Sequence, residues 1–257
     1  VKETTTPTGA GTPVVFESAT TLETATTFDP VEQKVVVFYK DNGNSNYGTA
    51  IVGTVTGSSI SFGTPVIFES ASAQDSQAVY DSVSGKHVVC FNGIYGYTKV
   101  GTVSGNSISF GTRTQLINRS ISEISLAADI TSGRILFFYQ EATFGYTQYS
   151  VGTISGTSIS YGTRVSITSD NTGGEISVGY DSAADTVIFA YADGGDGNKG
   201  KYTPATVSGT SLSLGSEVTF ETDSVSNSNQ TVQTYDSNSE KIVISYRDLG
   251  NSGAGTA

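Results

Sequence analysis

The chain has little of several residue types, and each shortage removes a class of protein. Of its 257 residues only one is cysteine and only one is histidine, and tryptophan and methionine are absent. A single cysteine, Cys90, excludes an internal disulfide framework, and we expect it to be a small buried apolar residue. A single histidine, His87, excludes a His-based catalytic triad and a metal site built from several histidines. We expect His87 to lie exposed at the start of a strand.

Charged residues are also scarce, and acidic ones dominate. They make up 14% of the chain, with 13 Lys and Arg against 24 Asp and Glu, for a net charge of −11. An acidic chain without a Lys/Arg cluster lacks the electrostatic footprint of a protein that binds nucleic-acid phosphates. No apolar stretch approaches the roughly 18 residues that a membrane-spanning helix needs, and nothing resembles a signal peptide. We therefore expect no nucleic-acid partner and no insertion into a membrane.

What the chain does have is an internal repeat. Five times an Asp, which we call the anchor Asp, is followed ten residues later by an aromatic residue that ends an apolar, β-branched run. Successive anchors lie 48 to 55 residues apart, and each unit also carries a Gly-Thr or Gly-Ser pair. A period near 50 built from short strands is typical of propellers and related arrays. The anchor and aromatic pairs are Asp29/Tyr39, Asp81/Phe91, Asp129/Tyr139, Asp181/Tyr191 and Asp236/Tyr246.

Each unit predicts four antiparallel strands. The first precedes the anchor Asp, a polar turn follows, and the second is the apolar run, such as residues 34–39. The third, such as residues 148–154, turns into the fourth through a two-residue loop that begins with Gly, which indicates a type II′ hairpin. The fourth strand begins with polar and apolar residues in alternation. The Gly of the Gly-Thr pair, for example Gly63, marks a bulge or bend within it.

Five such units predict an all-β fold, namely a five-bladed β-propeller with four antiparallel strands per blade, in one domain over residues 1–257. The register of the two ends favours a closed ring. Val1 precedes Gly11 by the interval that separates Gly53 from Gly63, and residues 255–257 match residues 48–50. We therefore expect N- and C-terminal strands to share a blade, which residues 1–18 complete, with 11–17 as its outer strand. The alternative is a five-unit stretch of a longer array with six or seven blades.

The two faces of the predicted disc differ. Connections between strands 1 and 2 and between strands 3 and 4 are short and repetitive, whereas the 2→3 and 4→1 loops vary in length and chemistry. Variable loops on a rigid scaffold are where binding sites usually lie. The alternative is that these solvent loops are simply under relaxed constraint.

Aromatic residues in or beside these loops are the candidate ligand contacts. Tyrosine offers a sugar both an apolar face and a hydroxyl group. The alternative is that several of these rings pack under their own loops. The candidates are Tyr47, Tyr95, Tyr97, Phe144, Tyr146 and Tyr202.

The acidic residues predict no catalytic set. The anchor Asp residues recur in every unit before a turn, which favours an Asx-type hydrogen bond to the turn backbone. We interpret the other acids as non-repeating, and their spacing does not single out the two catalytic carboxylates that a glycosidase needs. The acids so interpreted are Asp75, Glu123, Glu141, Asp170 and Glu175.

Three loops rich in Asp, Asn and Gly supply closely spaced oxygen atoms, and the strongest of them contains Asp193 and Asp196. None follows the twelve-residue pattern of a calcium-binding loop with its terminal Glu. We therefore expect no cofactor, with Ca²⁺ at Asp193 and Asp196 as the alternative.

The repeat text resembles that of structural and tail-fibre-like proteins of marine phages, cyanophages among them. The segments that carry the likeness are "YDSVSGKHVV", "YKDNGNSNYGTAIVGTVTGSSISFGTPVIFES" and "YRDLGNSGAGTA", and loops 92–97 and 140–146 depart from the pattern. The resemblance implies a non-enzymatic, extracellular or virion module that recognises a host glycan or protein and contacts other virion or surface-assembly subunits. A free-standing lectin and a glycosidase-like enzyme are the alternative functions.

Overall fold

The computed structural model describes residues 11–171, 176–225 and 231–257, with the backbone alone for 168–171. Val1, Glu175 and the side chain of Asp170, which entered the sequence predictions, lie outside the described residues. In the described ranges no helix is long and apolar enough to cross a membrane.

The described strands form five antiparallel sheets that follow one another along the chain, named sheet 1 to sheet 5. Sheet 1 contains β1 (Thr21–Asp29), β2 (Lys34–Asp41), β3 (Tyr47–Thr56), β4 (Ser59–Phe62) and β5 (Val66–Ser72). Sheet 2 contains β6 (Gln74–Asp81), β7 (Lys86–Asn92), β8 (Gly96–Ser104), β9 (Ser107–Phe110) and β10 (Thr114–Ile117). Sheet 3 contains β11 (Ile121–Asp129), β12 (Arg134–Glu141), β13 (Tyr146–Ser155), β14 (Ser158–Tyr161) and β15 (Val165–Asn171). Sheet 4 contains β16 (Ile176–Asp181), β17 (Thr186–Asp193), β18 (Lys199–Ser208), β19 (Ser211–Leu214) and β20 (Val218–Ser224). Sheet 5 contains β21 (Val232–Asp236), β22 (Lys241–Asp248) and β23 (Ala254–Thr256), and two 3₁₀ turns lie at Asn42–Asn44 and Gly194–Asp196.

The predicted fourth strand is present in sheets 1 to 4 as two segments. In sheet 1 both β4 and β5 pair with β3, and they are separated at the predicted Gly bend. The amide of Gly63 donates to the carbonyl of Val52 in β3 at 2.8 Å, so the bend keeps its backbone hydrogen bond. The predicted all-β fold with antiparallel four-strand sheets is confirmed.

The core lies between successive sheets. The second strand of sheets 1 to 4 is buried on both faces because it carries an unbroken β-branched and aromatic run. Phe68 of sheet 1 packs against Phe91 of sheet 2 at 5.4 Å between ring centroids, and Phe138 of sheet 3 packs against Phe189 of sheet 4 at 5.0 Å. Cys90 is fully buried, as predicted, in the layer between sheets 2 and 3. Burial of each such side chain stabilises the fold by roughly 1.5–3 kcal/mol.

The first strands of the sheets lie side by side. β1 contacts β6, β6 contacts β11, β11 contacts β16, and β16 contacts β21. Side-chain hydrogen bonds join neighbouring sheets, such as the one from the amide of Val178 to Ser125 Oγ at 3.0 Å. The arrangement is that of a propeller-like fold, in which sheets pack face to face and their first strands converge.

A repeated contact between sheets explains the Gly of the Gly-Thr pair more fully than a bend does. A Cβ atom placed on Gly63 would lie 2.0 Å from the carbonyl oxygen of Asn106, in the 3→4 turn of the next sheet. Gly111 and Gly162 meet the turns of sheets 3 and 4 at the same 2.0 Å. Only glycine permits this approach, because any side chain would overlap a backbone carbonyl.

The prediction that His87 is exposed is wrong. His87 is completely buried in β7, at a place that Val35, Ile135 and Val187 hold in other sheets. Its Nδ1 lies 2.8 Å from Thr27 Oγ1 of sheet 1, and its ring packs against Tyr80 at 4.9 Å. The error has a tertiary cause, since the first strand of sheet 1 covers this end of β7. Burial lowers the pKa of His87 to about 4.

Candidate functional site

One cavity lies where the five first strands meet. Its volume is about 400 Å³, and residues at or beside β1, β6, β11, β16 and β21 all line it. The wall is rich in carboxylate, hydroxyl and amide groups, with only a few aliphatic side chains. We name this space the central cavity, and its acids are Glu23, Asp75 and Glu123.

A β-bulge places each of the three acids. The register of the first strand shifts between Leu22 and Ala25 in sheet 1, and sheets 2 and 3 have a shift at the same place. Glu23, Asp75 and Glu123 take positive φ angles of 53°, 50° and 50° within these bulges. Such angles are uncommon for residues other than glycine, and bulges of this kind re-aim a side chain, often at functional sites.

These acids form a repeat that the sequence interpretation missed. Glu23, Asp75 and Glu123 each stand six residues before an anchor Asp, and Glu175 has the same sequence position in the fourth unit. Asp75, Glu123 and Glu175 were therefore wrongly interpreted as non-repeating. Aligning the units on the anchor Asp reveals the repeat, because the bulge adds one residue to the first strands of sheets 1 to 3 without changing this spacing.

The central cavity lies on the face of the variable loops. Thr21, at the start of β1, pairs with Asp41 at the end of β2, where the 2→3 loop begins. Glu23 is two residues further along β1. The acids therefore lie near the loop end of the first strands, and the anchor Asp residues lie at the opposite end.

Glu23 and Asp75 are coupled across sheets 1 and 2. Lys40 Nζ donates to Glu23 Oε1 at 2.6 Å, and the amide of Asp75 donates to Glu23 Oε2 at 2.5 Å. Burial and then the negative charge of Glu23 raise the pKa of Asp75, while Lys40 acts in the other direction. Glu23 is thus an acceptor held at both carboxylate oxygens, by Lys40 and by the backbone of Asp75.

The anchor Asp residues have the structural role that the sequence predicts. Asp29 Oδ1 accepts from the amides of Val31 and Glu32 at 2.9 and 3.0 Å. Equivalent bonds to turn amides are made by Asp81, Asp129, Asp181 and Asp236. Burial opposes ionisation of Asp29, but the turn amides of Glu32 and Val31 outweigh it and lower the pKa of Asp29.

The six aromatic candidates do not form one surface. Phe144 is 55% exposed and Tyr95 is 38% exposed, whereas Tyr97 is buried at 9%. Phe144 stacks on Tyr146 at 5.7 Å, and Tyr95 lies against Tyr97 at 6.2 Å. The structure thus brings them together as two pairs, one on sheet 3 and one on sheet 2.

The remaining two candidates stand apart from these pairs. Tyr47, half-buried, begins β3 of sheet 1. Tyr202 lies inside β18 of sheet 4, beside the loop that precedes the strand, and it pairs with Ala190 and Val218. Strand β18 begins at Lys199, earlier than the variable loop suggested.

Two arginines accompany the aromatic pairs, and the sequence interpretation missed both. The guanidinium carbon of Arg113 lies 4.2 Å from the ring centroid of Tyr97, and that of Arg119 lies 5.4 Å from Phe144. Cation–π contacts of this length are attractive. The only sequence signal for this role is that each arginine lies within about 25 residues of an aromatic candidate. Which ring each arginine covers depends on the tertiary structure.

The cation beside Asp193 and Asp196 is a lysine. Lys201 Nζ lies 2.5 Å from Asp193 Oδ2, 3.2 Å from Asp196 Oδ2 and 2.9 Å from Glu217 Oε1. Lys199 also pairs with Asp196, at 2.9 Å. Within the described ranges no group of three or more His, Cys, Asp or Glu side chains is placed to hold a metal ion. These ammonium groups are the charge partners of Asp193 and Asp196 in the structure.

No family model and no curated protein sequence matches the chain. Among solved structures, a protein of unknown function from Dyadobacter fermentans matches with a TM-score of 0.59 and 12% identity, over 88% of this chain and 74% of that one. The intramolecular trans-sialidase from Ruminococcus gnavus matches with a TM-score of 0.56 and 12% identity, over 90% and 74%. Hadza microbial sialidase Hz136 matches with 0.56 and 12%, over 89% and 50%. Such low identities show the fold alone, and that fold is propeller-like.

Proposed function

We propose that the chain is a non-enzymatic glycan-binding module, a five-bladed propeller that holds its ligand in the central cavity and on the surrounding loops. The observation that carries the proposal is the central cavity itself, a polar space of about 400 Å³ at the meeting point of five strands. A well-formed concavity with convergent polar groups and a perturbed carboxyl group is the default place for a ligand. Carboxylates and hydroxyls accept and donate the hydrogen bonds that sugar hydroxyls need.

Packing of the N-terminal segment supports a ring closed by strands from both ends. Phe16 lies 5.2 Å from Tyr39 and 5.8 Å from Phe62 of sheet 1. Phe68 of sheet 1 makes the equivalent contacts with sheet 2, at 5.4 Å to Phe91 and 5.8 Å to Phe110. Residues 11–17 thus pack on sheet 1 as β5 packs on sheet 2, which suits the outer strand of a preceding blade.

Sheet 5 does not make the equivalent contact in the structure, so the closing strand is the part of the ring that we propose. A Cβ atom on Gly48 would meet the ring of Phe68 at 2.5 Å, and the equivalent Gly255 has open space within 4 Å. Phe16 stands at the Phe68 position of the repeat. In the proposed ring, the segment that carries Phe16 covers Gly255 and completes the fifth blade.

The setting that we propose is a phage virion or another surface assembly outside the cell. The repeat text supports this setting, and the exposed rings of Tyr95 and Phe144 suit contact with a host glycan or protein. Other subunits of the assembly are the second expected class of partner.

Glycoside hydrolysis is the second candidate function, because Asp75 and Glu23 are neighbouring carboxyl groups in one cavity. Burial and Glu23 raise the pKa of Asp75, and Lys40 forms an ion pair with Glu23. Two neighbouring carboxyl groups can serve as acid and base in a glycosidase. Glu23 has both oxygens engaged within the protein, which favours binding over catalysis.

A glycan array followed by titration tests the proposal. Asp75→Asn and Glu123→Gln should weaken binding of the best array ligand at least tenfold while the melting temperature stays nearly constant. Glu32→Gln is the matched control, because Glu32 is an exposed acid in the turn at the opposite end of β1. Absence of any glycan ligand, or equal effects of all three variants, would contradict the proposal. Release of sugar from chromogenic glycosides that Asp75→Asn abolishes would establish the hydrolase instead.

A further inference from the structure

A second cavity lies between sheets 1 and 2, away from the central cavity. Its volume is about 250 Å³, and its wall includes Glu69 and Ser72 from β5 together with Ile94, Tyr97 and Arg113 of sheet 2. This volume is below the roughly 300–1,000 Å³ of pockets for drug-sized ligands, so it suits a single sugar ring. We name it the inter-sheet cleft.

The cleft contains an arginine whose position is fixed and which has more N–H donors than its protein contacts use. Arg113 lies over the ring of Tyr97 at 4.2 Å, and its Nη1 donates to Glu69 Oε1 at 3.2 Å. Glu69 is buried, whereas the side chain of Arg113 is 43% exposed. A guanidinium has five N–H donors in a planar fork, so one bond to Glu69 leaves donors for a second oxyanion.

A second cation stands beside Arg113. Thr114 pairs with Thr98, so Arg113 and Lys99 are opposite each other on neighbouring strands. Like charges in that relation destabilise a sheet. Burial lowers the pKa of Lys99, Glu69 opposes this, and Arg113 lowers it further. Two bases therefore share one acid, which leaves a net positive charge in a chain whose overall charge is −11.

The corresponding places in sheet 4 show what a purely structural pair looks like. In the repeat, Lys201 is equivalent to Tyr97, and Glu217 is equivalent to Arg113. Lys201 and Glu217 form an ion pair of opposite charges at 2.9 Å. Sheet 2 instead has a partly exposed arginine on an aromatic ring. Beside it, Ile94 is 80% exposed and forms an apolar lip. An apolar edge next to an oxyanion site suits the mixed surface of a sugar.

We propose that the inter-sheet cleft binds the charged group of an acidic sugar, a carboxylate or sulfate, on Arg113, with the sugar ring against Ile94 and Tyr95. This inference rests on the proposed glycan binding and names the class of glycan. Charge-assisted, bidentate contact with Arg would orient the anion, and the central cavity would hold neutral parts of the same chain. The positively charged cleft thereby selects acidic glycans despite the acidic protein.

Two small ligands that differ only at one group test the inference. Methyl β-glucuronide and methyl β-glucoside share a ring, but only the first has a carboxylate. Titration should show at least tenfold tighter binding of the glucuronide to the unmodified protein, weakened by added salt because Arg113 is partly exposed. Glucose 6-sulfate in a third titration distinguishes sulfate from carboxylate as the preferred anion.

Two substitutions test whether the glucuronide binds in the inter-sheet cleft. Arg113→Met should reduce glucuronide affinity at least tenfold, while Arg164→Met, the matched change at the same place in sheet 3, should leave it unchanged. Ile94→Asp is a second test that spares the core, because this exposed side chain adds a repelling charge at the lip. It should weaken the glucuronide more strongly than the glucoside, because both lose the apolar contact of the ring and only the glucuronide is repelled by the new charge.

Equal affinity for the two methyl glycosides, or no effect of Arg113→Met and Ile94→Asp, would overturn the inference. Binding of neutral glycans that depends on Asp75 and Glu123 would then leave the proposed function standing. If no sugar binds on the array or in titration, both the inference about the cleft and the proposed function are overturned.

Discussion

His87 and Asp29 face each other across the contact between sheets 1 and 2, with 3.6 Å between His87 Nε2 and Asp29 Oδ2. Both side chains are buried, and Tyr80 and Thr27 complete the surroundings of the imidazole. The Nε2 atom has no hydrogen-bond partner. Burial outweighs the attraction of Asp29, so the pKa of His87 falls to about 4 and the ring is neutral at pH 7.

Stability should therefore decline as the pH falls from about 6.5 to 4. In that window the unfolded chain binds a proton at His87 that the folded protein does not, which lowers the free energy of unfolding by about 3 kcal/mol. Asp29 adds its own loss only near and below its ordinary pKa of 3.8. His87→Val, which copies the aliphatic residue of other sheets, should flatten this slope. Denaturant unfolding at several pH values measures it, and an unchanged slope in His87→Val would contradict the prediction.

The contact between Gly63 and Asn106 should be intolerant of a methyl group. Gly63→Ala forces the next sheet away from its position and should lower the free energy of unfolding by about 1–3 kcal/mol. Gly111→Ala should have a similar effect, since its contact repeats the geometry. The exposed Ser61→Ala is the control, and thermal or denaturant melts compare the three. If Gly63→Ala melts like the control, the sheets do not approach each other as closely as described.

Phe16 should be as important for stability as Phe68, if the terminal strands share a blade. Phe68 is fully buried and Phe16 is partly buried on sheet 1, and in a closed blade removal of either ring should cost about 3–5 kcal/mol of unfolding free energy. Val15→Ala is the matched control, because Val15 is 78% exposed one position away. A Phe16→Ala protein as stable as Val15→Ala would refute closure by residues 11–17, and it would leave the fold of sheets 1 to 4 unaffected.

Phe144 and Tyr97 should separate binding from stability. Phe144→Ala should weaken glycan or host-protein binding by roughly 1–3 kcal/mol with little change in melting temperature, as for an exposed anchor residue. Tyr97→Ala should instead lower the melting temperature, because Tyr97 packs against Phe91 and under Arg113. Parallel melts and titrations decide this. Equal losses of stability and binding for Phe144→Ala would make it a core residue.

Much of the architecture could be predicted because its signals are local. The run after each anchor Asp is apolar and β-branched, so it forms a buried second strand in any antiparallel sheet, as β2 and β12 do. The Asx turn at Asp29 depends on residues two and three positions away, as the sequence indicated. The burial of Cys90 could be predicted in the same way, because Cys90 lies within the apolar run of the second unit.

The errors lie where a neighbouring sheet decides the outcome. His87 was expected at the surface because it begins a strand, but β1 covers it. The acids of the central cavity repeat in the sequence, yet only convergence of the first strands makes one site from Glu23, Asp75 and Glu123. Within sheet 4, the sequence interpretation did not anticipate that the ammonium group of Lys201 in β18 lies between Asp193 and Asp196.

The sequence by itself determined the strands, their turns and the near-50-residue repeat, because hydrogen bonding and side-chain alternation act within a few residues. Tertiary structure alone decided which residues share the central cavity, which carbonyl faces Gly63, and why Arg113 covers Tyr97. The first two relationships depend on the packing of one sheet against the next, and the third depends on how β10 pairs with β8 within sheet 2.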